Sequence, residues 1–163
     1  MSFELPTTLR RTLSALGVCC SVVTLGACSF WRTPGPQLLV VDKDREPKID
    51  LDTWLDKNAI PADQNIKAVR LGQTDALSYH IVQIRDREQP HVHATHDLSV
   101  TLLRGEGMLQ NGNASQMMRK GDVAIVPRGM RHFFVNTGSE PAVAFVTFGP
   151  PSDGSDIVPA TGE

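Results

Sequence analysis

Along the chain the apolar positions change rhythm twice. An unbroken apolar run, TLSALGVCCSVVTLGA, precedes Cys28, a proline-bearing interval without periodicity follows, and from about Ile66 short apolar or alternating runs are separated by Gly, Asn, Asp and Pro. Those runs, IKAVRL, LSYHIVQI, LSVTLL, GMLQ, DVAIVP, HFFVN and AVAFVTF, are of strand length, and none carries the long amphipathic stripe of a helix. Seven or so short strands between turn residues predict an all-β sandwich or barrel over residues 65–150. Within LSVTLL the alternation puts Leu98, Val100 and Leu102 on the inner face and Asp97, Ser99 and Thr101 on the outer. Upstream, in an extension over residues 38–64, IDLDTWLDKNAIPAD predicts a short helix before Pro61, capped by Asp50 or Asp52. Residues 151–163, rich in proline, glycine and acid, read as a flexible tail.

The first apolar run is flanked by Arg10 and Arg11 and spans roughly 16 residues, short of the about 20 a membrane-spanning helix needs and suited to a secretory leader. Its end, Leu25, Gly26, Ala27, Cys28, resembles the bacterial lipobox, in which cleavage precedes a cysteine that is then lipidated. The resemblance implies a cleaved leader over 1–27, a lipid anchor on Cys28 and a tether over 28–37. Ser29 in place of an aspartate implies sorting to the outer membrane, facing the periplasm.

Export then settles the cysteine chemistry. Cys19 and Cys20 leave with the leader and Cys28 is lipidated, so the folded part has no thiol for a disulfide or a metal. Metal chemistry falls to histidine, carboxylate and water. The formal net charge of −2, about −3 once Arg10, Arg11 and Glu4 are lost, comes with no clustered basic face and argues against a nucleic-acid partner.

Three of the five histidines crowd into PHVHATHD as His91, His93 and His96. On a strand, residues i and i+2 share a face, so His91 and His93 present their imidazoles to one point, as a two-histidine ligand arm requires. Some forty residues on, in GDVAIVPRGMRHFFVN, Gly121, Pro127, Gly129, His132 and Asn136 stand at the spacing G-x5-P-x-G-x2-H-x3-N. A strand ending at Pro127, a turn at Gly129 and a strand starting near His132 predict a hairpin that delivers a third imidazole to the interior. Of Phe133 and Phe134, which alternate across that strand, one faces the cavity, with Phe134 the candidate beside Leu98.

The second stretch matches the second motif of the cupin superfamily at every position, and the first resembles much of that family's first motif. The resemblance covers roughly residues 82–150. It implies a double-stranded β-helix, or jelly-roll barrel, with a divalent metal held inside by His91, His93 and His132. The family's first motif adds a glutamate six residues before a glycine, and counting back from Gly105 lands on Leu98. That departure leaves the fourth position open: a one-residue slip offers Asp97, and His96 is a second candidate.

Three neutral imidazoles suit iron, zinc, nickel or manganese and leave open positions for water or a ligand oxygen. Leader and resemblance together imply a lipid-anchored envelope protein that binds a divalent metal and a small molecule. The alternatives are an iron-type dioxygenase, a sugar isomerase or epimerase, and a non-catalytic envelope scaffold. Loss of the family's carboxylate lowers the expectation of acid/base chemistry, and the family's habit of pairing through sheet edges implies a homodimer.

Overall fold

The computed structural model describes residues 37–38 and 49–160. The leader, Cys28, the tether before Gln37 and residues 39–48 lie outside the described residues. In chain order the elements are β1 Gln37–Leu38, β2 Ile49–Asp50, α1 Leu51–Lys57, β3 Ile66–Gln73, β4 Ser78–Ile84, β5 His91–His93, β6 Asp97–Arg104, β7 Glu106–Asn111, β8 Ala114–Arg119, β9 Val123–Val126, β10 His132–Asn136, β11 Ala142–Gly149 and β12 Ile157–Pro159.

Beyond the short β1–β2 pair, ten strands form two antiparallel five-stranded sheets, in the orders β12-β5-β10-β7-β8 and β3-β4-β11-β6-β9. This is the double-stranded β-helix. Alternation along the strands builds its core: Leu98, Leu102, Val126, Ala144 and Val146 of one sheet pack with Met118 and Phe134 of the other. The opposite parity of the β3-β4-β11 face meets the helix, where Ile81 and Val143 pack under Leu51, Trp54 and Leu55 of α1. Asp50 caps that helix by accepting from Thr53 N–H at 3.0 Å.

Two readings of the sequence change. The predicted hairpin around Gly129 is a crossing between sheets: β9 pairs with β6, whereas β10 pairs with β5 and β7. The turn itself is tight, with Met130 N–H donating to Pro127 O at 3.1 Å and Gly129 at φ 74°, where a side chain is strained. Gly107 lies inside β7, where a Cβ would stand 2.3 Å from both Phe134 Cζ and Val135 O.

The expected loose tail is docked. Its strand β12 pairs antiparallel with β5, setting Ile157 opposite His93 and Pro159 opposite His91. The apolar pair Ile157 and Val158 is too short to read as a strand, yet it completes the sheet beside the histidine arm.

Candidate metal centre

Strand β5 carries His91 and His93 on its inner face, and β10 opens with His132 directly across from His91. The Gly129 turn is tied to this arm, its N–H donating to His93 O at 2.8 Å. The imidazole centroids stand 5.1 Å apart for His91 and His93, 4.4 Å for His91 and His132, and 5.4 Å for His93 and His132. One ring nitrogen from each lies within 4.8 Å of the other two. His93 and His132 are 4% and 5% exposed and His91 is half-buried.

Each ring is held through Nδ1. His91 Nδ1–H donates to Gln89 O at 2.8 Å, His132 Nδ1–H to Met130 O at 3.0 Å, and His93 Nδ1–H to Asp156 Oδ1 at 3.3 Å. These acceptors fix the tautomer, leaving Nε2 as the lone-pair nitrogen of each ring. Burial also keeps two of the rings, His132 and His93, neutral. It holds His132 down to about 4, with help from His91 and His93 and against the Met130 bond, and it lowers His93 despite the neighbouring Asp156. A neutral imidazole with its second nitrogen free is the form a divalent metal takes.

The three histidines close one side of a cavity of about 330 Å³ between the sheets, walled mainly by apolar side chains such as Leu98, Val100, Leu102, Val126, Phe134 and Phe148. Leu98 and Phe134 thus line the cavity. Phe133 does not line it; the Arg87 and Arg131 guanidiniums lie over its ring at 5.8 and 5.7 Å.

Neither candidate for a fourth ligand joins the three imidazoles. Asp97 faces outward on β6 and accepts from Arg128 N–H at 2.9 Å, Nε at 3.2 Å and Nη2 at 2.6 Å, which holds its carboxyl at about 2. The same ion pair occupies Arg128. His96 has both ring nitrogens engaged, Nδ1 with Asp156 Oδ2 and Nε2 with Pro151 O at 3.2 Å. His80, on β4 of the other sheet, pairs with Ser78 Oγ at 3.0 Å and packs T-shaped against Phe148 at 5.0 Å.

Two carboxylates escaped the sequence reading. Glu88 lines the cavity and accepts from Phe134 N–H through Oε2 at 2.9 Å, while its own N–H donates to Phe134 O at 2.9 Å. Burial pushes its carboxyl above the usual range, opposed by His91 and by the Phe134 bond. In the polar run RDREQPH nothing separates Glu88 from a solvated loop residue. Asp156 reaches His93 and His96 from the end of the chain. Burial works against its charge, but the bonds from His96 and His93 outweigh that and hold it at about 2.

Comparison with known proteins follows this geometry. Residues 79–148 match the family model described as a cupin domain. An uncharacterized protein of Aquifex aeolicus is 39% identical over 95 residues, which are 58% of this chain and 78% of that protein. The chain belongs to the cupin superfamily. This cupin is also 40% identical over 58 residues to the auxin-binding protein ABP19b of Prunus persica, a match taking in 36% of the chain and only 28% of the peach protein. Among solved structures, an uncharacterized double-stranded β-helix protein of Klebsiella pneumoniae superposes with a TM-score of 0.56 at 21% identity, covering 66% of this cupin and 95% of its own chain. That likeness is one of fold.

Proposed function

We propose that this cupin binds one divalent metal ion through His91, His93 and His132 and takes up a small, largely apolar molecule that reaches the metal through an oxygen atom. The observation that carries the reading is the set of three imidazoles whose Nδ1 atoms are all occupied by acceptors while one nitrogen from each gathers within 4.8 Å at the wall of an apolar cavity. Iron, zinc, nickel or manganese suits such a donor set. The bound ion supplies a Lewis acid with open positions.

The chain's own residues do the rest. Leu98, Val126 and Phe134 exclude water and accept the apolar body of the ligand. A sugar has too few partners along such a wall, since each buried hydroxyl left without a hydrogen bond costs roughly 1–3 kcal/mol. That argues against the isomerase or epimerase reading.

Glu88 favours one second reading, an iron-type dioxygenase or related enzyme. Its carboxyl, pushed up by burial, is placed at the cavity to hold or release a proton of a bound ligand, a task the leucine at position 98 does not perform. Export, lipidation of Cys28 and display on the outer membrane facing the periplasm complete the proposal, supported by the Leu25 to Cys28 lipobox. Expression in a Gram-negative host with labelled palmitate tests that part: label should enter the wild type and not Cys28→Ser.

Cobalt(II) titration followed by visible absorption tests the site. Saturation at one ion per chain, abolished in His132→Ala, is expected. Identical weak binding by both proteins overturns it.

A further inference from the structure

Of the three imidazoles, two are oriented locally. His91 and His132 each donate to a backbone carbonyl two residues away, Gln89 O and Met130 O. The third, His93, is oriented by a side chain from the far end of the chain, Asp156, sixty-three residues on. The Asp156 carboxylate is 6% exposed and spends both oxygens here: Oδ1 faces His93 Nδ1, and Oδ2 takes His96 Nδ1 together with Thr95 N–H and Oγ1, each at 3.4 Å.

Backbone bonds place that carboxylate on either side of its own residue. Ala94 N–H donates to Asp156 O at 3.1 Å, β12 pairs with β5 from Ile157 to Pro159, and Ala160 N–H donates to Pro90 O at 2.9 Å. His96 adds a brace, its Nε2 standing 3.2 Å from Pro151 O at the start of the tail. The whole metal-facing strand β5 is therefore gripped by residues 151–160. A carboxylate on the distal nitrogen also makes a ligating imidazole a stronger donor than a carbonyl does.

We propose that Asp156 is the positioning residue for His93, and that the docked C-terminal segment is a clamp on which metal retention depends. The inference rests on the three-histidine reading. Asp156 does not join His91 and His132 around the ion; it acts through His93, holding the ring so that Nε2 faces them. His96 serves the clamp, which explains why a third histidine in PHVHATHD stands apart from the other two.

The test uses the full chain and zinc(II) alone. Zinc affinity is measured by competition with a chromogenic chelator for the wild type, Asp156→Ala, Asp156→Asn and Asp156→Glu, and the His93 tautomer is read in the zinc-loaded proteins by ¹⁵N–¹H correlation of labelled histidine. The expected result is a loss of about 10–100-fold in zinc affinity for Asp156→Ala and Asp156→Asn, with partial recovery in Asp156→Glu. The His93 Nδ1–H signal should shift or vanish while those of His91 and His132 persist. Should Asp156→Ala fail to fold, the nearly isosteric Asp156→Asn decides. Wild-type zinc affinity and an unchanged His93 signal in a folded Asp156→Asn protein overturn the inference and leave the three-histidine site standing. Failure of the wild type itself to bind zinc overturns the site as well, and is seen before any variant is compared.

Discussion

His132 stands directly across from His91 in the β5–β10 pair, their ring centroids 4.4 Å apart, although forty residues separate them in the chain. That juxtaposition needs the Pro127–Met130 turn to carry the chain from one sheet to the other. Two neighbouring strands then bring three imidazoles together from backbone positions that pairing makes rigid.

The strand β7 lies against the same pair, and Gly107 is the point of closest approach. A methyl group there meets Phe134 Cζ and Val135 O at 2.3 Å, so β7 and β10 must part or Phe134 must swing into the cavity. Gly107→Ala should cost about 1–3 kcal/mol of stability in urea unfolding and weaken metal retention along with it. Wild-type stability would contradict the packing described.

Leu98 occupies the position where the family's first motif carries a glutamate, and it faces the cavity while 5% exposed. Leu98→Glu places a carboxylate beside the three imidazoles. Without metal the variant should be destabilised, because a buried charge lacks a partner. Saturating zinc should then raise its melting temperature by more than it raises that of the wild type. Equal zinc-induced shifts would place residue 98 away from the ion.

Asp97 makes the opposite case. Its carboxylate is spent on Arg128 at the surface, so Asp97→Asn should leave metal content unchanged. The pair's pH behaviour has a definite sign. A carboxyl held at about 2 in the folded chain, against an ordinary 3.8, adds stability that is fully present above 3.8 and is lost as the pH falls through 2. Solvent exposure keeps that contribution small. The wild type and Asp97→Asn should therefore converge in stability toward pH 2, as measured by denaturant titration.

His132 sets the pH response of the metal-free barrel. Its folded value of about 4 lies below the 6.5 of an exposed histidine, and His93 is lowered too. Between pH 6.5 and 4 the unfolded chain takes up protons that the folded chain refuses, so stability is greatest above 6.5 and falls as the pH drops through this window. His132→Gln should flatten that slope. An unchanged slope, read from denaturant midpoints at pH 7 and pH 4.5, would mean that the ring is not held neutral by burial.

Much of this architecture was legible because strands with one buried face print a period of two on the sequence. LSVTLL and AVAFVTF showed which residues face inward, and the i, i+2 pair His91 and His93 showed a ligand arm. The spacing from Gly121 to Asn136 carried the family. What stayed hidden depends on partners distant in sequence. Ala114–Arg119, the edge strand β8, is polar at three of six positions, exposed at five, and leaves no alternation to read. The turn at Gly129 looks like a hairpin because a sequence shows that a chain reverses but not which strand it then joins. Glu88 and Asp156 look like solvated acids until β10 and β5 are laid beside them.

The central claim, a metal held by His91, His93 and His132, is tested most directly by elemental analysis of the full chain, purified without a metal-binding tag, beside a His91→Ala/His93→Ala variant. The account predicts close to one iron, zinc, nickel or manganese ion per wild-type chain, as purified or after reconstitution, and none in a variant that still folds. An absence of metal in the wild type after reconstitution with each ion in turn, or equal metal in both proteins, would contradict it.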